Sequence, residues 1–259
     1  MSVTAAPARP SRRGSGERGS HSYSRQAAIG LSLAAAVAGG WLALHVLDVF
    51  LLPWRVELAL APLLVALQCW LSVGLFIIAH DAMHGSLAPF RPKVNRAVGR
   101  TVLMLYAGIW YDALVARHFA HHRAPGTDED PDFAGDGHVP FLRWFGRFFA
   151  EYLSVGQVAR LVAGSAVYTF LLGVPMERLL LLWALPAILS AFQLFYFGTY
   201  LPHRAEEAEE FGDEHRARSN DFSWTMSLLT CFHFGYHHEH HDDPSVPWWR
   251  LPAMRGAAR

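Results

Sequence analysis

Long apolar runs separated by short polar turns set the pattern of this chain. The first run extends from about Ala27 to Leu52, and the second from about Leu58 to Ala79, stopping at His80. A short link containing Pro53 joins them, so they predict a helical hairpin. A third run covers about Val158 to Val174 and a fourth about Leu179 to Tyr200, joined around Pro175. Each approaches the roughly 20 residues that a helix needs to cross the hydrocarbon core. The first run is too long for the apolar core of a signal peptide and has no clear cleavage site, so it reads as a retained span. The pattern predicts an all-α integral membrane bundle with four transmembrane helices in two hairpins. Ala97 to Ala116 is also mostly apolar, but it contains Arg100, Gly108 and Asp112. It reads as one interfacial or partly inserted helix, with a full span as the alternative.

The polar segments set direction. Residues 1–25 are rich in Arg, Ser, Gly and Pro and predict a disordered tail, with Arg9, Arg12, Arg13, Arg18 and Arg25 against Glu17. Positive charge stays in the cytoplasm, so the tail and the N-terminus are expected there. Counting spans then delivers His80 and His203 to the same cytoplasmic face, along with segment 81–150 and everything after the fourth span. The expected organisation is the tail (1–25), one membrane domain with a histidine-rich cytoplasmic cap (26–252) and a short C-terminal tail (253–259).

Composition agrees with a membrane protein. The chain is 52% hydrophobic and 17% charged, against about 25% charged in soluble domains. Lys and Arg balance Asp and Glu at 22 each, and there is no basic stripe, so no nucleic-acid partner is indicated. The two cysteines, Cys69 and Cys231, are far apart and read as small buried hydrophobes rather than a disulfide framework.

Ten of the 15 histidines fall in three clusters: His80/His84, His118/His121/His122, and His233/His237/His238/His240/His241. Residues three or four apart share a helix face. His80 and His84 can therefore turn toward one centre where the second span leaves the membrane. His118, His121 and His122 combine both spacings, as do His237, His240 and His241. His233 precedes His237 by four residues and is carried as a further candidate, whereas His238 points elsewhere on a regular helix. His21, His45, His138 and His215 read as isolated. A solvated helix face would use Lys, Glu and Arg rather than repeated imidazole. Eight or more imidazoles exceed what one metal takes and suit two metals with open positions; ligand type alone leaves Fe, Cu and Zn open. Asp81, Asp128 and Asp130 lie beside the clusters and can hold the far nitrogen of a ligating histidine. There is no nucleophile elbow, P-loop or dinucleotide fingerprint.

The order H-x(3)-H, H-x-x-H-H, H-x-x-H-H resembles that of membrane fatty-acid desaturases and hydroxylases. The surrounding residues are more specific. His80 to Pro89, His121 to Thr127 with Asp130-Pro131-Asp132, Phe232 to His241 with Pro247-Trp248-Trp249, and Thr199 to Arg204 are similar to segments of bacterial carotenoid ketolases. The resemblance covers roughly residues 27–252 and departs from the family at Asp242-Asp243. It implies a non-haem di-iron centre held by His80, His84, His118, His121, His122, His203, His237, His240 and His241. It also implies O2-dependent β-carotene 4-ketolase activity in the bacterial inner membrane, within carotenoid biosynthesis. The C4 methylene of the β-ionone ring would pass through an alcohol and a gem-diol to a ketone, giving echinenone and canthaxanthin, or astaxanthin from 3-hydroxylated rings. The chain shows no flavin or nicotinamide site, so electrons would come from reduced ferredoxin or a similar donor.

A C40 hydrocarbon partitions into membrane lipid, so a tunnel is expected to admit one ring. Phe192, Phe195 and Tyr196 on one helical face, or Tyr106, Trp110 and Tyr111 near Gly108, are candidate tunnel linings; core packing or an aromatic belt is the plainer reading for each set. Rival readings are a carotenoid 3-hydroxylase, a fatty-acid desaturase or alkane hydroxylase, and a membrane metal transporter or sensor. A transporter would carry ionisable residues within the spans, whereas His45, Asp48 and Arg160 all lie near span ends.

Overall fold

A computed structural model describes residues 16–135, 139–204 and 211–257. Among them all regular structure is helical. Helix α1 runs Gly16–Val46 and continues as a wider turn, Leu47–Leu51. Pro53, with extended backbone, turns the chain into α2, Trp54–His84. These helices pack on each other as the expected hairpin. Arg18, Arg25 and their neighbours from Gly16 onward belong to α1 rather than to a tail. Residues 1–15 of the expected tail lie outside the described residues, as do His138 and the side chain of His21.

α2 is the hub of the bundle. Helix α1, helix α3 (Pro92–Ala107) and the long helix α7 (Met176–His203) all pack against it. Accordingly, 56% of its apolar window is buried, against 28% in α1 and in α7. The outer helices instead expose apolar side chains such as Leu42, Leu51, Leu180 and Ile188. Such a continuous apolar exterior suits lipid rather than water. These three helices are long and apolar enough to cross a membrane.

The count of four spans is only partly met. The third expected span is a shorter apolar helix, α6, over Val155–Leu171. It starts at Ser154, whose side chain accepts the N–H of Gln157. It exposes Val162, Phe170 and Leu171 and is joined to α7 through Gly173 and Pro175. The described residues thus hold three to four apolar helices able to span a membrane.

Ala97–Ala116 is not one helix. Gly108 takes a left-handed conformation, φ +62°, and ends α3; α4 then runs Tyr111–Arg123. A side chain at that φ would be strained, and Arg160 of α6 donates to the Gly108 carbonyl at 2.8 Å, fixing the corner. Gly85, φ +74°, ends α2 one residue after His84 in the same way. The remaining helices are α5 (Phe141–Tyr152), α8 (Trp224–Cys231), α9 (His237–Asp242) and α10 (Leu251–Ala257). Helix α10 takes up most of the expected C-terminal tail and packs against α9.

Candidate metal centre

α2 and α7 carry His80, His84 and His203 in their last turns. α4 and α9 lie across those ends with the second and third histidine clusters. A wide turn at Tyr196–Tyr200 precedes His203; such turns shift side-chain direction and often occur at functional sites.

Among the described residues, nine histidines sort into two groups. His80, His84, His118, His122 and His240 form one, and His121, His203, His237 and His241 the other. In each, one nitrogen per residue lies within 4.8 Å of all the others. The sorting follows from helix geometry. Neighbouring residues diverge by about 100° around a helix, so His121 and His122 face different groups. His118 and His122, four apart, stay together, and so do His237 and His241, while His240 crosses to the other group. Each of the two short helices therefore serves both groups.

The nitrogens facing inward are close. Nε2 of His118 and His84 are 2.6 Å apart, those of His121 and His241 3.2 Å, and those of His240 and His122 3.2 Å. The Nε2 atoms of His80 and His203 are buried without a hydrogen-bond partner. Buried polar atoms are rarely left so, and converging lone pairs are what a cation would satisfy. Burial holds His118, His237, His240 and His241 well below the usual histidine range, and His122 down to about 3. These rings are neutral at pH 7, the form that ligates metal.

Several rings are fixed from behind. His203 donates its Nδ1–H to the Arg216 carbonyl at 2.8 Å. Both oxygens of Asp130 lie 3.0 Å from Nδ1 of His121. The Asp130 carboxylate also accepts the backbone N–H groups of Gly126 and Asp132, both at 2.8 Å. Burial opposes charge on His121, but the hydrogen bond that its Nδ1–H donates to Asp130 and the charges of Asp132 and Asp130 outweigh it and raise its pKa.

The other expected carboxylates behave differently. Asp81 stands 4.0 Å from Nδ1 of His80 and accepts the N–H of Trp248 at 3.1 Å, tying α2 to the C-terminal segment. Asp128 is exposed on the loop and outside the groups; Asp132, four residues further along the same acidic run, is instead 3.8 Å from His121 and accepts from Tyr152. His233 also lies outside the groups. It precedes α9 rather than extending it, because Phe232 and His233 take left-handed conformations that break the helical spacing. Its ring sits among Trp224, Tyr236 and Trp248. Glu239, which the sequence reading did not single out, is buried between the grouped histidines of α9 and anchors that helix to Ser219 and Arg255.

Residues 57–166 and 138–259 match the family described as "Fatty acid desaturase". A "Beta-carotene ketolase" of Paracoccus sp. (strain PC1) is 48% identical over 88% of this chain and 92% of its own length. The chain belongs to the beta-carotene ketolase branch of the fatty acid desaturase family. A "Beta-carotene ketolase" of Haematococcus lacustris is 38% identical over 91% of this chain and 82% of its own. A "Zeaxanthin 4-ketolase" of Chlamydomonas reinhardtii is 35% identical over 89% of this chain and 54% of its own. No solved structure matches the chain.

In this family member a largely apolar cavity of about 220 Å³ reaches both histidine groups, ending on His80 and His118 of one and on His121 and His237 of the other. Of the expected tunnel residues, Tyr106 and Phe195 line it. The other four do not. Trp110 is exposed beneath Arg160, and Tyr111 packs over Gly99. Phe192 stacks on Phe145 at 3.9 Å, and Tyr196 lies against Phe141. Helical spacing indicated shared faces but not which face met the cavity. Phe76, Met83 and Leu194, ordinary core residues by sequence, form much of its wall instead.

Proposed function

We propose that the protein is a membrane di-iron oxygenase, a β-carotene 4-ketolase acting on the C4 methylene of β-ionone rings. The observation that carries this reading is the apolar cavity ending on histidines of both groups. Its products from β-carotene are echinenone and canthaxanthin, with astaxanthin from 3-hydroxylated rings. The relatives named as ketolases of beta-carotene and zeaxanthin support this substrate class.

His80, His84, His118, His122 and His240 would hold one iron, and His121, His203, His237 and His241 the other. An all-imidazole donor set with its lone pairs turned inward fits this metal. Bound there, a di-iron pair supplies the oxygen-activating chemistry that an allylic methylene without an acidic proton requires. The chain's own residues do the rest. Asp130 and the Arg216 carbonyl orient His121 and His203. Phe76, Met83, Leu194 and Phe195 exclude water and hold a hydrocarbon ring by contact area. The membrane concentrates the substrate beside this cavity.

In the proposed topology the Arg-rich N-terminus is cytoplasmic, α1 crosses outward and α2 returns in the bacterial inner membrane. A cap of α4, α5, α8 and α9 then faces the cytoplasm, where ferredoxin or a similar donor supplies two electrons per cycle. Pigment analysis after expression in a β-carotene-producing bacterium tests the activity: echinenone and canthaxanthin are expected. Zeaxanthin alone, or no new carotenoid, overturns it. Purified protein is expected to hold two irons per chain by elemental analysis.

A further inference from the structure

Phe234 stands between the two histidine groups on the cavity side. Its ring centroid is 4.5 Å from that of His80 and 5.5 Å from that of His240, in one group, and 4.8 Å from that of His237, in the other. The ring forms part of the cavity wall. It has no room to retreat on one side, because it rests on the backbone of α7 at Gly198. A Cβ on Gly198 would lie 2.9 Å from both Cδ1 and Cε1 of Phe234.

The backbone that presents this ring is unusual. Phe232 and His233 have φ of +49° and +62°, a conformation that costs a non-glycine residue about 1 kcal/mol or more and persists only where the surroundings enforce it. Here they do. The N–H of His233 donates to the Ser227 carbonyl and that of Phe234 to the Cys231 carbonyl, each at 2.9 Å. The His233 imidazole is stacked among aromatic rings. Two left-handed residues in succession turn Phe234 toward the histidines.

We infer that Phe234 is the depth stop that fixes which ring carbon meets the metal centre. This rests on the ketolase reading above. The unsubstituted β-ionone ring has no polar atom by which a hydrogen bond could orient it, so shape must do so. C3 and C4 are neighbouring methylenes about 1.5 Å apart, one carbon–carbon bond. A displacement of about 1 Å from the reactive position can cost on the order of 10²-fold in rate, so the position of one wall decides between them. With Phe234 in place the ring halts with C4 presented; with a smaller side chain it enters further and presents C3.

The test compares wild type with Phe234→Leu, Phe234→Met and Gly198→Ala in β-carotene-producing cells, with pigments normalised to membrane-inserted protein. Phe234→Leu and Phe234→Met are expected to raise the ratio of C3- to C4-oxygenated rings by about tenfold or more. Gly198→Ala, which drives the Phe234 ring into the cavity and so keeps the substrate ring further out, is expected to lower turnover about tenfold without raising that ratio. A C3-to-C4 ratio equal to wild type in whichever Phe234 variants accumulate overturns the inference, whatever their total activity. A merely structural role would lower yield without moving the ratio. The wild type's own product tests the ketolase reading, and the shift relative to wild type tests the depth stop, so either can fail alone.

Discussion

Nδ1 of His121 lies 3.0 Å from each oxygen of Asp130, a carboxylate that is itself held by the backbone N–H groups of Gly126 and Asp132. The loop after α4 thus fixes the orientation of a histidine that faces three others. Outer carboxylates of this kind are commonly worth about 10–100-fold in metal affinity. Asp130→Asn is therefore expected to release iron to a chelator at a concentration about 10–100-fold lower than wild type requires. Asp128→Asn, on the exposed part of the same loop, is expected to match wild type. Equal retention in both variants would remove Asp130 from the site.

His203 and His233 make a second pair of contrasts. His203 belongs to the four-histidine group, whereas His233 is buried among aromatic rings outside both groups. His203→Ala is expected to bind fewer than two irons per chain. His233→Ala is expected to keep its iron while losing about 1–3 kcal/mol of stability, the usual cost of a buried truncation. Elemental analysis together with thermal unfolding in detergent separates the two.

At the other end of the bundle Arg178 of α7 binds the α1–α2 hairpin. Its guanidinium lies 3.1 Å from buried Glu57 and donates to the carbonyls of Val49 at 3.0 Å and Leu52 at 3.2 Å. Arg178→Met leaves Glu57 buried and uncompensated, a loss of about 3–5 kcal/mol. Adding Glu57→Gln is expected to restore a large part of it. A double variant no more stable than Arg178→Met would show that the carbonyl contacts, not the ion pair, hold α7 there.

Gly99 marks a close helix contact. A Cβ there would fall 2.1 Å from Cε2 of Tyr111, the first residue of α4. Gly99→Ala is expected to cost about 1–3 kcal/mol through overpacking. Tyr111→Leu in the same background should relieve much of that cost, read as a positive coupling energy in unfolding measurements.

Apolar run length made the first hairpin and α7 legible, and i,i+3 and i,i+4 spacing made eight of the nine grouped histidines legible; His203 was legible only from its place at the end of the fourth run and from the family resemblance. Three features escaped. Spacing cannot show which way a helix face turns, so it leaves Phe192 and Tyr196 open between tunnel lining and packing, and the structure sets them against Phe145 and Phe141 rather than the cavity. Nor can it show where a helix stops when no proline marks the end. Gly108 is a visible breaker within Ala97–Ala116, but the left-handed Phe232 and His233 carry no such signal, so the spacing alone puts His233 on the face of His237. Aspartates in one acidic run also look equivalent in sequence; only the fold of the loop distinguishes buried Asp130 from exposed Asp128.

The division of α4 and α9 between the two groups has a consequence for assembly. His121 and His122 are neighbours on one helix, as are His240 and His241, and each pair is split between the groups. An ion captured by either group therefore immobilises helices that also complete the other. Filling is expected to be cooperative, passing from empty to doubly loaded protein with little of the singly loaded form between them.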